Sequence, residues 1–412
     1  MGNIRNCRFC KSRDLVPYLN LGSHPHSDRF LRPEQLDEPE VYYPLKVVLC
    51  RACGLNQLSY TVDPKVLYQE EYLYESPKSG SGLEHYHSFA KETVKRFGLG
   101  KRDLVVDIGS NIGTLLKGFK KAGTRVLGVD PAKNIAALAT KAGVPTIPDF
   151  FTSAVAAQAR RRYGAASVIT GTNVFAHVSD HNSFLASVKK LLAPGGVFIF
   201  ESPHLLYLIK NLEYDTVYAQ HLLYLSLQPV MRLVKKNGLE VFRVEEYPGM
   251  HGGSFRVFMA RKGERKVEPG VARLLAKERK AGIHSLGTLK KFAARVAKHR
   301  LALVLLLDGL QKRGKRIAIV STPAKGMTLL NYCKIGTERI EFATERRDGL
   351  KCGRFTPGGH IPIVPDGELL KKRPNYALLL AWNFADDIMK NLAAYRKQGG
   401  KFIIPIPWPK IK

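Results

Sequence analysis

The stretch LVVDIGSNIGTLLKGFKKAGTRVLGVD, residues 104–130, decides the fold of this chain. It begins with β-branched and other apolar residues, which predict a short buried strand around Asp107. A glycine-rich turn follows, and a helix is predicted to begin near Thr114. A second strand then ends in Asp130, 23 residues after Asp107. This order of strand, glycine turn, helix and strand predicts a doubly wound α/β sheet with a ligand at its carboxyl edge.

The turn has the spacing D-x-G-x-N-x-G, formed by Asp107, Gly109, Asn111 and Gly113, rather than the G-x-G-x-x-G of dinucleotide folds. Asp107 at the end of the strand suits a ligand with a cationic amino-acid end, and Asp130 is placed to accept both hydroxyls of a ribose. The turn resembles the glycine-rich loop of class I S-adenosylmethionine methyltransferases. The alternative is a generic nucleotide-binding or merely structural β-turn-α unit.

Strands and helices alternate from residue 104 to about residue 260, as a doubly wound sheet requires. Asp149 follows the third strand, where it is placed to bond the adenine amino group of the donor. Asn173 and His177 follow the fourth strand. Ligands of open α/β sheets bind outside the carboxyl ends of the strands, so we expect both residues to face the active cleft.

Two C-x₂-C pairs, Cys7 with Cys10 and Cys50 with Cys53, stand near the N-terminus. Four thiolates can surround one zinc ion tetrahedrally, and a closed Cys₄ shell leaves no position for a catalytic water. We therefore predict one structural Zn²⁺ per chain. The alternatives are redox pairs or a vestigial site.

The chain has 412 residues and a net charge of +30. Nucleic acid is a partner that such a charge suggests. We do not expect it here, because the lysines and arginines are spread along the whole chain and no RNA-reading motif is visible. No apolar run reaches the roughly 18–20 residues of a membrane span, and the N-terminus has no apolar secretory core. We expect a cytoplasmic protein.

Changes in composition and periodicity divide the chain into five parts. They are a zinc-binding domain (1–60), a tyrosine-rich linker and helix (61–100), a methyl-donor domain (101–260), a basic helical connector (261–315) and a C-terminal Rossmann-like α/β domain (316–412). In the connector we predict an apolar stripe formed by Leu274, Leu275, Leu301, Leu305 and Leu306.

The linker and the end of the methyl-donor domain carry the remaining candidate residues. Tyr72 and Tyr74 can bond a sugar or a phosphate through their phenols, or can simply pack the linker against the domain. His221 follows a strand end on the predicted ligand side. The stretch HGGS supplies His251 and Ser254, which we expect to contact the substrate.

Over nearly its full length the chain resembles the sugar C-methyltransferases that make branched deoxysugars. The similarity rests on the cysteine pairs, DIGSNIG, NVFAHV, the Y-x-x-H of Tyr218 and His221, HGGS, and PAKGMTLLNYC, FTPGGHIPI, AWNFADDI and GGKFIIPIP in the C-terminal third. The resemblance implies a nucleoside diphosphate 4-keto-6-deoxysugar as the substrate, methylated at C3. It also implies His221 as the base that forms an enolate, with Tyr218 and His177 contacting the sugar.

One departure from the family pattern affects the expected chemistry. The family usually has Y-H-E-H where this chain has Tyr218-Ala219-Gln220-His221. Gln220 can hydrogen-bond but cannot accept a proton, and without a neighbouring carboxylate His221 should be a weaker base. Either His221 suffices alone, or the substrate or the attacked carbon differs. Two other functions stay open: an RNA methyltransferase that docks through its zinc knuckles and basic surface, and a non-catalytic relative.

Overall fold

The computed structural model describes residues 2–69, 72–78, 80–250, 252–347 and 349–412. In these ranges the chain forms an N-terminal sheet, a central α/β domain and a C-terminal α/β domain. No described helix combines the length and the apolar character that a bilayer span requires.

The N-terminal part is built around the strand that leads into the second cysteine pair. Its elements are β1 (Gly2–Asn3), β2 (Leu15–Pro25), β3 (Tyr42–Cys50), β4 (Asn56–Leu58), β5 (Tyr60–Thr61), α1 (Pro64–Tyr68) and α2 (Gly80–Phe97). β3 pairs antiparallel with β2 on one side and with β4 on the other. β3 ends at Cys50, so the sheet delivers one cysteine pair directly from a strand end.

The central domain contains the predicted doubly wound sheet. Its elements are β6 (Leu104–Ile108), α3 (Thr114–Lys121), β7 (Arg125–Val129), α4 (Lys133–Lys141), β8 (Thr146–Ile147), α5 (Ser153–Tyr163), β9 (Ala166–Thr172), α6 (His181–Leu191), β10 (Leu192–Pro203), α7 (Leu205–Asn211), β11 (Leu223–Tyr224), α8 (Leu227–Lys236), β12 (Leu239–Tyr247) and β13 (Ser254–Arg261). The strand order is β12-β13-β10-β9-β6-β7-β8, and β13 runs antiparallel to both neighbours. Every residue of β6 is buried, because helices cover both faces of a parallel sheet.

One strand of the central segment leaves its own domain. β11 pairs antiparallel with β4, with Leu223 opposite Gln57, and so completes the N-terminal sheet in the order β11-β4-β3-β2. The residues just before β11 include Tyr218 and His221. The candidate acceptor site is therefore anchored to the zinc-binding part of the chain.

The C-terminal part forms a second, mostly parallel sheet. Its elements are α9 (Pro269–Ala281), α10 (Leu286–Gln311), β14 (Ile317–Val320), α11 (Ala324–Cys333), β15 (Ala343–Glu345), β16 (Ile363–Pro365), α12 (Glu368–Lys372), β17 (Tyr376–Leu379), α13 (Ala385–Asn391), α14 (Ala393–Lys397), β18 (Lys401–Ile404) and β19 (Lys410–Ile411). The order is β16-β15-β14-β17-β18-β19. Strands and helices alternate along this domain, which confirms the predicted Rossmann-like α/β fold.

The predicted apolar stripe of the connector is wrong for two residues of α10. Leu301 and Leu305 are 64% and 69% exposed, whereas Leu303 and Leu307 are fully buried. The buried positions continue the helical face that begins at Leu289, and that face packs against β2 and α11. The C-terminal end of α10 is rich in leucine, so more than one set of leucines has helical spacing. Contacts with β2 and α11 determine which set is buried.

A buried ion pair fastens α2 to the central sheet. Arg256 of β13 lies directly opposite Glu201 of β10, and its Nη2 is 2.7 Å from the Glu201 Oε2. The other carboxylate oxygen is 2.7 Å from His85 Nε2 of α2. The guanidinium also stacks over the ring of Phe89, 3.5 Å from the ring centroid. One side chain thus joins two strands and a helix.

Replacing Arg256 with methionine should destabilise the protein by at least about 3 kcal/mol, because it leaves the fully buried Glu201 without its cationic partner. The expected result is a clearly lower midpoint of thermal unfolding. Lys262→Met, an exposed substitution just after β13, is the matched control and should change stability by less than about 0.5 kcal/mol. Equal midpoints for the two variants would contradict the importance of the pair.

Candidate functional site

A cavity of about 950 Å³ lies where the three parts of the chain meet. Its walls include Asp107 and Asp130 from the carboxyl ends of β6 and β7, and Ser321 and Glu345 from the corresponding ends of β14 and β15. Asp28 from the N-terminal part also lines it. Two parallel sheets therefore direct their carboxyl ends at one space. Small-molecule sites are usually about 300–1,000 Å³, so this volume suits a large ligand or two ligands together.

Two buried acids mark one end of the cavity. The Asp107 carboxylate accepts a hydrogen bond from Thr170 Oγ1 at 2.7 Å, and the Asp130 carboxylate accepts the backbone N–H groups of Asn111 and Ala132 at 2.8 and 2.9 Å. Burial raises the pKa of Asp107 to about 7 and also raises the pKa of Asp130. Acids held in this state favour a cationic ligand beside them.

The glycine loop approaches its neighbours as closely as the motif predicts. Gly109 has φ +67°, and a Cβ there would lie 2.3 Å from Val174 Cγ2. Gly113 has φ +76° and forms the N-cap of α3 without lining the cavity. A side chain at Gly109 would push the loop away from the segment after β9, and one at Gly113 would collide with Val144, which precedes β8.

Asn111 holds the tyrosine-rich linker over this loop. Its Oδ1 accepts hydrogen bonds from the Ser76 backbone N–H at 2.7 Å and from Ser76 Oγ at 2.9 Å. Its Nδ2 donates to the Tyr74 carbonyl at 3.0 Å. Tyr72 and Tyr74 consequently line the cavity, as predicted. The side chain of Asn111 is used to fasten the linker, while its backbone N–H reaches Asp130.

The donor end also contains buried polar atoms that lack hydrogen-bond partners among the described residues. These atoms are Ser110 Oγ, Thr172 Oγ1 and Asn173 Oδ1. Buried polar groups in native proteins are normally satisfied, so such atoms in a cavity wall indicate a ligand. Together with the two acids they fit S-adenosylmethionine, which offers a cationic amino-acid end and ribose hydroxyls.

The two predicted histidines meet in the wall of the same cavity. His221 Nε2 is 2.7 Å from Tyr218 Oη, and its Nδ1 is 2.8 Å from the Thr216 carbonyl oxygen. A carbonyl can only accept, so Nδ1 carries the proton and Nε2 is the basic nitrogen. The His177 ring lies 4.9 Å from that of His221.

His177 is held by a tyrosine that was not among the predicted site residues. Its Nδ1 is 3.1 Å from Tyr68 Oη, and the two rings are stacked. Burial and the neighbouring His221 hold the pKa of His177 well below its ordinary value, so the ring is neutral. The buried Nε2 of His177 has no hydrogen-bond partner in the described part of the chain. It is available to a ligand.

Three other predicted residues are absent from the cavity wall. Asp149 is exposed outside the cavity wall, and its carboxylate accepts the N–H of Phe150, whose ring lines the cavity instead. Ser254 is buried at the start of β13 and donates to the Met250 carbonyl. Gln220 is buried behind the wall. His251 lies outside the described residues. Neither Asp149 nor Ser254 lines the cavity in which the other predicted residues gather.

Several lining residues escaped the sequence analysis. They come from the N-terminal loop, from α1 and from the C-terminal domain: Asp28, Tyr68, Ser321, Lys325, Glu345, Lys351 and Asn383. The rule that ligands bind at the carboxyl ends of parallel strands would have indicated Ser321 and Glu345. Nothing local distinguishes Asp28, whose position depends on contacts across the chain.

The four cysteines of the two pairs gather at one point. All of their sulfur atoms lie within 4.8 Å of one another, with Cys7 and Cys53 at 3.6 Å and Cys10 and Cys50 at 3.5 Å. Zinc–sulfur bonds of about 2.3 Å in a tetrahedron place sulfurs about 3.8 Å apart. The geometry fits a Cys₄ zinc ion, with no step of the chemistry routed through it.

Family models match the three parts in order. Residues 7–68 match a zinc binding domain, residues 83–244 a methyltransferase domain, and residues 249–407 a C-methyltransferase C-terminal domain. The chain is 39% identical to the C-methyltransferase NovU of Streptomyces niveus over 409 residues, which is 99% of this chain and 97% of that protein.

Solved structures are similar only in part. The magnesium protoporphyrin IX methyltransferase of Synechocystis PCC 6803 with bound SAH is 14% identical, covers 44% of this chain and 83% of its own, and has a TM-score of 0.35. An S-adenosylmethionine-dependent methyltransferase of Aquifex aeolicus is 17% identical over 41% of this chain and 88% of its own, with a TM-score of 0.31.

The predicted zinc-binding N-terminal domain is confirmed by its family model and by the clustered cysteines. The predicted methyltransferase fold is confirmed by the central model and by the strand order. With a relative of this identity along almost the whole chain, the protein is an enzyme and belongs to the family of C-methyltransferases that combine a zinc-binding domain, a methyltransferase domain and a C-methyltransferase C-terminal domain.

Proposed function

We propose that this enzyme transfers the methyl group of S-adenosylmethionine to C3 of a nucleoside diphosphate 4-keto-6-deoxysugar. The observation that carries the proposal is one cavity whose wall holds both the two acids of a methyl-donor loop and a paired histidine and tyrosine. C-methylation needs a carbon nucleophile, and a ketone makes the neighbouring C–H acidic enough for a histidine to remove its proton.

His221 would act as the general base. Its Nδ1–H is fixed by the Thr216 carbonyl, so the lone pair of Nε2 is directed to the side where Tyr218 stands. In the proposed step Nε2 takes the C3 proton, the electron pair forms the enolate, and C3 attacks the sulfonium methyl. S-adenosylhomocysteine leaves, and the proton stays on the imidazole until solvent removes it.

The enolate oxygen needs hydrogen-bond donors that are in place before the charge develops. The Tyr218 hydroxyl is one candidate, because its proton is released from Nε2 when Nε2 takes the C3 proton. The neutral His177 is the other, because when its Nδ1 accepts from Tyr68, its unpartnered Nε2 carries a proton that can be donated. Neither group has to change its charge to do this. The arrangement suits stabilisation of an oxyanion at neutral pH.

The C-terminal wall supports an anionic nucleotide end for the acceptor. Lys325 and Lys351 line the cavity there, close to the carboxyl ends of β14 and β15. Ammonium groups are common partners of phosphates. A donor and a nucleotide sugar together would use the size of the cavity better than the donor alone.

The six cysteines also bear on where the enzyme works. None of the six, all of which lie in the described part of the chain, forms a disulfide, and four of them gather in the zinc cluster. Thiols persist in reducing compartments. We therefore place the enzyme in the cytoplasm.

The test is methyl transfer from labelled S-adenosylmethionine to thymidine diphosphate 4-keto-6-deoxyhexoses in deuterated water. We expect a methylated product, and, with S-adenosylhomocysteine in place of the donor, enzyme-dependent entry of deuterium at C3. A donor that binds without turnover or exchange on a panel of such sugars would contradict the substrate. Transfer to RNA instead would favour a different acceptor class.

Donor affinity should depend on pH through Asp107. Its pKa of about 7 in the donor-free protein means that the carboxyl is largely protonated below pH 7. A cationic donor prefers the carboxylate, so binding must release this proton, and Kd should rise by up to about tenfold for each pH unit below 7. Above pH 7 the dependence on this group should disappear.

The measurement is calorimetric titration with S-adenosylhomocysteine, which keeps the cationic amino group, between about pH 6 and about pH 8. Asp107→Asn is the matched variant, and it should bind more weakly with a flatter profile. The same shift has a consequence for the donor-free protein: stability due to protonated Asp107 is lost as the pH rises through 7. A Kd that improves on acidification would contradict this role of Asp107.

A further inference from the structure

Gln220, which stands where the family pattern has an acid, has a carboxylate as its partner. Its Nε2 donates a hydrogen bond to Asp28 Oδ2 at 2.7 Å. The two residues are separated by 192 positions in the chain and are only 2% and 6% exposed. The amide of Gln220 is therefore paired with the carboxylate of Asp28, which lies in the loop after β2.

Of the two side chains, Asp28 is the one that faces the ligand. It lines the cavity, whereas Gln220 lies behind the wall. The second oxygen of Asp28, Oδ1, is buried and has no hydrogen-bond partner within the described ranges. A charged oxygen left in this state by a purely structural side chain would be costly. Its position in the wall indicates a ligand group as the missing partner.

Asp28 also acts on the phenols around the histidines. Burial, and then the negative charge of Asp28, raises the pKa of Tyr218 and of Tyr68 well above the ordinary value. Both phenols thus stay protonated. Tyr218 contacts His221, and Tyr68 contacts His177. The Asp28 carboxylate therefore helps to keep the phenol of each histidine–tyrosine pair protonated.

We propose that Asp28 supplies the carboxylate of the acceptor site that Gln220 cannot supply, and that Gln220 positions it. The site keeps one negative charge, but that charge comes from the N-terminal part of the chain instead of the residue before His221. The free Oδ1 would accept a hydrogen bond from a hydroxyl of the bound sugar, so Asp28 would contact the acceptor. This inference rests on the proposed function, whose substrate it makes more specific.

The test is a charge-exchange cycle in the full-length enzyme. Asp28→Asn removes the charge and should lower kcat/KM for the keto sugar on the order of tenfold to a hundredfold, because a charged hydrogen bond is lost. Gln220→Glu alone places two carboxylates against each other and should lower both activity and the unfolding midpoint. The double variant restores one acid and one amide and should recover the unfolding midpoint but not kcat/KM, because its acid lies behind the cavity wall and cannot meet the sugar. Asp37→Asn, exposed and outside the cavity wall, is the matched control.

A double variant with a restored midpoint and a low kcat/KM separates the contact of Asp28 with the sugar from its structural pairing with position 220. Full activity of Asp28→Asn would overturn the inference, as would a double variant as active as the wild-type enzyme. If the wild-type enzyme methylates no keto sugar, the proposed function fails separately. The unfolding midpoints then decide, and a double variant that melts no higher than Gln220→Glu overturns the pairing.

Discussion

The asparagine variant of His221 is expected to lose methyl transfer by about 10²–10⁴-fold in kcat, because general bases contribute this much to proton removal. Asparagine keeps a polar group of similar reach but has no basic nitrogen. Donor binding should be unchanged, since Asp107 and Asp130 are held by Thr170 and by backbone N–H groups of the donor loop. The enzyme-dependent entry of deuterium at C3 should fall together with methyl transfer.

The comparison of exchange with transfer makes this experiment specific. A base variant loses both, whereas a variant that only misplaces the donor loses transfer and keeps exchange. Tyr218→Phe, which removes the hydroxyl next to Nε2, should retain exchange at a reduced rate. His87→Asn, on α2 and outside the cavity wall, is the matched control. Unchanged exchange in His221→Asn would assign the base to another residue.

Loss of the zinc ion should have the largest effect on stability. Structural zinc contributes on the order of 10 kcal/mol to folding in small zinc-binding peptides. Cys50→Ser removes a ligand at the end of β3, the strand on which β2 and β4 assemble. We expect the variant to lose the metal and to unfold its N-terminal part at a much lower temperature than the wild type.

Methyl transfer should also fall in Cys50→Ser, because the N-terminal part of the chain supports the residues that would bind the acceptor. Asp28 follows β2, and β4 pairs with β11 directly after His221. Metal analysis should find one zinc ion per chain in the wild type and in Cys352→Ser, the control outside the cluster. A Cys50→Ser protein with full metal content and an unchanged unfolding midpoint would contradict the structural role of the cluster.

The sequence was most informative where neighbouring residues act together. The turn around Gly109, with an acid before it and Asp130 after the next strand, predicts the donor end because all of its parts lie on one β-turn-α-β unit. The cysteine pairs are equally local. His221 and Tyr218 are three residues apart, and the structure brings them within 2.7 Å. Short spacing is a constraint that packing cannot easily change.

The sequence was least informative where the direction of a side chain depends on packing. Asp149 follows the third strand as predicted, yet the next residue, Phe150, lines the cavity instead. The third strand has only two residues. Leu301 and Leu305 satisfied helical spacing but point to solvent. A shift of one residue in a strand or a helix moves a side chain to another face. The types of residue in a segment do not reveal such a shift.

By itself the sequence determined the fold of the central domain, the zinc ligands and the donor loop, since each depends on residues close together in the chain. Tertiary structure alone decided the acceptor end of the cavity. There Asp28, Tyr68 and Gln220 converge with residues beyond position 320, and no local pattern links them. Distant segments meet there because β4 pairs with β11 and because the central and C-terminal sheets face the same cavity. Both arrangements exist only in the folded chain.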